Sequence, residues 1–126
     1  MDKDKIWETL MGFGAKMGCH QRADRSFFCG NYQFPLCARC TGIFLTSIWG
    51  YVLYFTKRPK MLIGILLVVP MMADGIVQLL RIKESSNLRR LLTGMLGGLG
   101  LIFIRLNFYQ KVAKIIIGFY RRSFVK

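Results

Sequence analysis

Residues 61–80 read MLIGILLVVPMMADGIVQLL, and this stretch decides the fold class. Twenty residues in a helix, at about 1.5 Å each, reach about 30 Å, the thickness of a bilayer's hydrocarbon core. Pro70, Asp74 and Gln78 interrupt an otherwise apolar run. The basic turn Lys57-Arg58-Pro59-Lys60 precedes it. Upstream of that turn lies a second apolar segment, from about Leu36 to Phe55, strongly apolar from Ile43 onward. Pro35 is expected as its first helical residue, where a missing N–H costs nothing. Downstream, a third segment opens at Asn87, expected as an N-cap, and runs to about Phe108. Gly94 and Gly98 within it form a G-x-x-x-G pair, with Gly97 and Gly100 alongside. Glycines so spaced let helix backbones approach closely in lipid.

The 126 residues suit one domain. Hydrophobic residues make up 53% of the chain, yet 19 Lys and Arg against 6 acids give a net charge of +13. The mean hydropathy is nonetheless +0.36. These facts agree if the apolar residues lie in lipid and the charges sit at its edges. A basic chain binds either nucleic acid or an anionic lipid surface. The long apolar runs favour the lipid bilayer, with anionic lipid at its surface. No recognition helix, RNP-like aromatic motif or zinc-finger spacing speaks for nucleic acid. Met1–Gly18 lacks the apolar core of a signal peptide. Met1–Lys16 reads instead as a short amphipathic helix, with Ile6, Trp7, Leu10, Met11 and Phe13 on one side and Trp7 at headgroup level. Arg105–Lys126 reads as a cationic amphipathic helix lying on the membrane.

The expected architecture is therefore an all-α integral membrane protein with three transmembrane helices. A cysteine/histidine loop comes before the first helix and an amphipathic helix closes the chain. Residues 1–17 form the N-terminal segment, 18–108 the membrane domain and 109–126 the tail. Three crossings put the cysteine loop and the 81–90 loop on one side, the 57–60 turn and the tail on the other. Lys and Arg then number ten and nine on the two sides. So even a split gives the positive-inside rule nothing to act on.

Chemistry concentrates in one place. All four cysteines and the only histidine fall in Cys19-His20 … Cys29 … Cys37-Ala38-Arg39-Cys40. Cys37 and Cys40 are three apart, so at a helix start both thiols project from one face. A helix N-terminus and the neighbouring Arg39 each favour the thiolate. With Cys19 and His20 they make a tetrahedral zinc set, Cys29 being the alternative fourth ligand. Asp74 lies about 9 Å inside its segment at about 1.5 Å per residue. A carboxylate at that depth needs a partner. Gln78 and Arg81 share its face, pointing to the cysteine side. Arg90 opens the third segment on that same side. Either arginine is an expected partner for Asp74. Arg22, Arg25, Arg39 and Arg81 also gather there, as an anionic substrate or headgroup would require.

These motifs resemble a family. Cys19-His20-Gln21-Arg22, Arg25-Ser26-Phe27-Phe28, Pro35-Leu36-Cys37-Ala38-Arg39-Cys40-Thr41-Gly42, Pro70, Asp74-Gly75, Gln78, Ser86-Asn87-Leu88-Arg89-Arg90 and Thr93-Gly94 occur in that order. The order is similar to that of a prokaryotic family of small predicted membrane proteins, domain of unknown function 2085. The resemblance covers about Gly18–Gly100. It implies an integral protein of a prokaryotic cell membrane and supplies no activity. It implies signature positions at Cys19, His20, Arg25, Cys37, Arg39, Cys40, Asp74, Gln78, Asn87 and Arg90. Cys29 lies outside that pattern.

The functional expectation is a zinc-type site of Cys19, His20, Cys37 and Cys40 at the membrane interface, acting on an anionic or lipid-linked substrate. Asp74 is the candidate general base and Arg90 the candidate anion clamp, with Arg25, Arg39, Gln78 and Asn87 around them. Two other readings fit the same residues. One is thiol-disulfide chemistry at Cys37 and Cys40. The other is a metal-stabilised accessory subunit without catalysis.

Overall fold

The computed structural model describes residues 2–124. Met1, Val125 and Lys126, at the ends of the expected N-terminal segment and tail, lie outside the described residues. Among the described residues, four helices and one small sheet follow in order: α1 (Lys3–Lys16), β1 (Ser26–Cys29), β2 (Tyr32–Cys37), α2 (Ala38–Lys57), α3 (Met61–Leu79) and α4 (Asn87–Phe124). A single 3-10 turn over Ala23–Arg25 leads into β1.

The sheet departs from the expected loop. β1 and β2 pair antiparallel, with Cys29 opposite Tyr32 and Ser26 opposite Cys37. Gly30 and Asn31 form the two-residue connection. Gly30 sits at φ +62°, the left-handed value that a hairpin turn needs at its first central residue. Pro35 is therefore a strand residue, and the helix begins at Ala38 instead. Its ring cannot donate to the ladder, which an edge position tolerates. α1 packs on this hairpin. The Trp7 indole N–H donates to the Gln33 carbonyl at 2.8 Å, and the Tyr32 hydroxyl donates to Asp4 at 2.7 Å. Gly14 lies against the Pro35 carbonyl, where a side chain would not fit.

α2 ends where the sequence implies. Arg58 adopts a left-handed conformation at φ 44°, and its N–H closes the helix on the Tyr54 carbonyl at 2.8 Å. Pro59 then forbids continuation. α4 takes the middle of the bundle, packing on both α2 and α3, which hardly touch each other. Small residues set the approach. Gly42, Thr46 and Gly50 make a stripe on α2 that meets Gly94, Gly98 and Ile102 of α4. A Cβ on Gly42 would stand 2.8 Å from the Met95 nitrogen. Thr46 seals this seam with a hydrogen bond to the Met95 carbonyl at 3.0 Å. On the other flank, a Cβ on Gly64 of α3 would come 2.9 Å from the Gly100 carbonyl oxygen. The G-x-x-x-G pair thus does what its spacing implies. Tyr54, Ile102 and Phe103 form the buried apolar core, with Tyr51, Leu67 and Leu106 around them.

Two helices have the length and apolarity of a membrane span: α3, and α4 over Asn87–Ser123. Only 11% of the apolar window of α3 is buried. Its large side chains therefore face outward, which suits lipid and not water. α2 has the length, but Arg39, Thr41, Thr46 and Ser47 dilute its apolarity. The expected third segment and tail are one continuous helix of 38 residues. No proline and only Gly118 follow Gly100, so nothing breaks the hydrogen-bond ladder near Phe108. At about 1.5 Å per residue it spans about 57 Å, nearly twice a bilayer core. The described part of the tail is thus the exposed end of α4, not a separate helix.

Candidate metal centre

The hairpin has one consequence for chemistry: it folds Cys19 back onto the start of α2. The sulfurs of Cys19, Cys37 and Cys40 all lie within 4.8 Å of one another. Cys19 is buried, and its sulfur accepts the Cys37 backbone N–H at 3.2 Å. The four cysteines are free of disulfides. Cys40, donating to the Cys37 sulfur, holds the Cys37 thiol down from 9.0 to about 5, with the Cys40 and Arg39 backbone N–H groups adding to it against the cost of burial. Three soft donors in reach of one another, with the Cys37 thiol pushed toward its thiolate, can hold a metal ion.

His20 and Cys29 stand apart from this group. His20 is exposed and lines the same small cavity without joining the three sulfurs. Cys29 is exposed at the end of β1, on the Gly30-Asn31 turn. The cavity beside the sulfurs, about 210 Å³, is lined by Arg22, Arg25, Arg39, Gln78 and Arg90 as well. These five also line a larger neighbouring cavity of about 630 Å³, together with Arg81, Lys83 and Glu84.

The local fold around Cys19 depends on two amides. Gln21 sits at φ 47°, a costly conformation for a residue with a side chain. Its amide donates to the Met11 and Pro35 carbonyls at 2.6 and 2.8 Å. Gln33 in turn donates to the Gln21 carbonyl at 2.6 Å. Together they tie the cysteine loop to α1 and to β2. Sequence reasoning quoted Gln21 within a motif but gave it no role.

Asp74 is 2% exposed and binds all three long helices together. Arg39 of α2 reaches its Oδ2 at 2.6 Å and Arg89 of α4 its Oδ1 at 3.0 Å. Gln78, one turn on, donates to Oδ2 at 3.1 Å. Neither Arg81 nor Arg90 is the partner, contrary to expectation. Arg81 takes a left-handed conformation, φ 54°, just past the end of α3, and lines the larger cavity. Arg90 is turned by one residue, about 100° around the helix, from Arg89. It is 7% exposed and donates to the Asn87 side-chain oxygen at 3.1 Å. Asn87 is not the N-cap. Ser86 does that work, accepting the Arg89 N–H at 3.3 Å. Asn87 instead donates to the Ser26 carbonyl at 3.3 Å, pinning the start of α4 to the hairpin.

The model of a family described as a predicted membrane protein, domain of unknown function 2085, matches residues 19–104. The chain belongs to this family. The match opens on Cys19 and takes in the hairpin, α2, α3 and most of the packed part of α4. Every residue of the three-sulfur cluster and of the Asp74 junction lies within it. Helix α1 and the exposed end of α4 lie outside. Two relatives are archaeal. An uncharacterized protein of Methanothermobacter thermautotrophicus is 39% identical over 89 residues, 66% of this chain and 79% of that protein. An uncharacterized protein of Methanocaldococcus jannaschii is 35% identical over 104 residues, 76% of this chain and 67% of that protein. No solved structure matches the chain.

Proposed function

We propose that this family member is a three-crossing protein of the cell membrane whose working end is a zinc-type thiolate centre beside a cationic cavity. The observation that carries the reading is the convergence of the Cys19, Cys37 and Cys40 sulfurs within 4.8 Å. Zinc suits the set, because thiolates are soft ligands and the sites prefer four-coordination. With three protein donors gathered, the fourth position stays open to His20, to water or to substrate. An ion there supplies Lewis acidity toward an oxygen of a bound substrate. The chain's own residues do the rest. Arg39, held by Asp74, and Arg90 hold an anionic or lipid-linked substrate beside the sulfurs. The double ion pair of Asp74 supports a positioning role for this residue, ahead of its use as a general base.

The third crossing is α2. Its exposed Phe44, Leu45, Ile48, Trp49, Val52 and Phe55 form an outward apolar surface beside α4 that lipid would cover. With α2 as a crossing, the cysteine hairpin and the 57–60 turn lie on opposite sides of the membrane. An impermeant maleimide applied to sealed vesicles should therefore label Cys29 and a Lys57→Cys variant from opposite sides. Labelling of both from one side would leave only two crossings.

Protein extracted with detergent from carbonate-washed membranes should carry close to one equivalent of zinc. Cys19→Ser, Cys37→Ser and Cys40→Ser should each lose most of it, and Cys29→Ser should keep it. Elemental analysis decides. Equal loss in all four variants would replace this site with a four-cysteine one. A second reading has its own support in the low Cys37 pKa, since a Cys-x-x-Cys pair with one ready thiolate suits disulfide exchange. Absence of metal together with a reducible Cys37–Cys40 bond would select it.

A further inference from the structure

Arg90 is in an unfavourable place for a cation. Only 7% of it is exposed, and its Nε has no hydrogen-bond partner. Among the described residues, its guanidinium's one hydrogen bond goes to the neutral Asn87 side chain. Among the described residues no carboxylate lies in ion-pair range of it. It also sits in the first turn of α4, where the helix dipole repels positive charge. A buried guanidinium without a counter-charge is strongly unfavourable, because its desolvation is not repaid. Arg25 and Arg39 also carry buried Nε atoms without a hydrogen-bond partner, that of Arg25 lying 3.6 Å from Asp24, and both line the two cavities with Arg90.

The charge count points the same way. The larger cavity is lined by six cations, Arg22, Arg25, Arg39, Arg81, Lys83 and Arg90, and by one carboxylate, Glu84. Asp24 offsets Arg22 and Arg25 between them, at 3.1 and 3.6 Å. Asp74 is shared between Arg39 and Arg89. With Arg89 included, seven cations face the three carboxylates Asp24, Asp74 and Glu84, and four positive charges remain in excess. One carboxylate group would leave three of them unmet. At about 630 Å³ the space admits more than a single small ion.

We propose that this cavity binds a phosphate-bearing group, a phosphomonoester or diphosphate, with Arg90 at its floor and Arg22, Arg25, Arg39 and Arg81 around it. Planar guanidiniums match phosphate oxygens two at a time, and several arginines converge here from different elements. The proposal rests on the reading of the cysteine pocket as the working end, and it names the class of anion taken there. The group can arrive on a lipid headgroup or on a soluble molecule, since the recognising chemistry is the same.

The test uses the whole protein in phosphatidylcholine nanodiscs in phosphate-free buffer. Inorganic phosphate, pyrophosphate and succinate are titrated by calorimetry. Pyrophosphate should bind more tightly than phosphate, and succinate much more weakly. Arg90→Gln and the exposed Arg22→Gln should each weaken pyrophosphate roughly tenfold to a hundredfold, as loss of a charge-assisted hydrogen bond does. Lys114→Gln, on the exposed end of α4, removes the same charge and should change nothing. Phosphatidic acid added to the discs should compete with pyrophosphate if a headgroup is the natural source, and leave it unaffected if the ligand is soluble. Succinate binding as well as pyrophosphate, or both Arg variants binding unchanged, would overturn the proposal. So would a lack of any response to phosphate, pyrophosphate and phosphatidic acid. Zinc is measured on the same samples. Zinc present without pyrophosphate binding overturns this proposal alone, whereas pyrophosphate bound without zinc overturns the metal reading alone.

Discussion

Asp74→Asn should lower the amount of protein in the membrane severalfold. The carboxylate is the only charge opposite two guanidiniums, from α2 and from α4, and α2 and α3 have few other contacts. Removing one partner of a buried ion pair costs about 3–5 kcal/mol. The Arg39 and Arg89 side chains keep 26% and 51% exposure, so water relieves part of that cost. Even about 3 kcal/mol is a large share of a typical stability of roughly 5–15 kcal/mol. The expected result is severalfold lower abundance in membranes, with the remaining protein melting well below the unaltered form in detergent. Arg39→Gln should do similar harm, and Arg89→Gln, the more exposed partner, less. Full abundance and an unchanged melting temperature, with zinc retained and function lost, would return Asp74 to the role of general base.

Gly94→Val should be almost as damaging, by a different route. A Cβ at Gly94 would meet the backbone of Arg39 itself: its carbonyl oxygen, and its C and Cα at 3.1 Å. Backbone cannot swing aside as a side chain can. α2 would have to move off α4 at its first turn, where Arg39 also holds Asp74 and where Cys37 and Cys40 sit. Overpacking of this kind costs about 1–3 kcal/mol, and a branched residue takes the upper end. Zinc content should fall along with the melting temperature, because the cysteines ride on the displaced turn. Gly97→Ala is the internal comparison. The nearest atoms to its Cβ would belong to the Met71 side chain, whose sulfur and methyl can swing aside while its own Cβ, at 3.0 Å, must give slightly. Gly12→Ala has open space and should be neutral or slightly stabilising. If Gly94→Val melted no lower than Gly97→Ala, the close crossing of α2 and α4 would be refuted.

The helices were the readable part of the chain. The bounds of α3 follow from where its apolar run stops, and the 57–60 turn follows from Pro59 behind a run of charge. The glycines of α4 also announced their use, since G-x-x-x-G has one common meaning between membrane helices. The hairpin was missed although Cys29-Gly30-Asn31-Tyr32 carries a turn signal between aromatic residues. The nearby cysteines drew attention to ligation and away from the backbone. At the site, Cys19, Cys37 and Cys40 were legible from their residue type and spacing. The partner of Asp74 was not. Arg89 and Arg90 are neighbours of identical chemistry, and only the rotational phase of α4 in the bundle tells them apart. The same holds for Ser86 and Asn87, either of which can cap a helix by composition alone. Neighbouring residues on a helix point about 100° apart. Sequence periodicity does not resolve a choice of one residue without the packing.

The pair Arg89–Arg90 works as a vernier. One notch engages the carboxylate of α3, and the next stands in the cavity by the cysteines. Turning α4 by a single residue one way would bring Arg90 to the carboxylate and Leu91 to the cavity; the other way would bring Arg89 to the cavity and Leu88 to the carboxylate. Inserting or deleting one residue between Asn87 and Gly94 would therefore misalign charge and glycine seam together. Asp74 sets the angular zero of the whole bundle, and the electrostatics at its cysteine end are indexed to it.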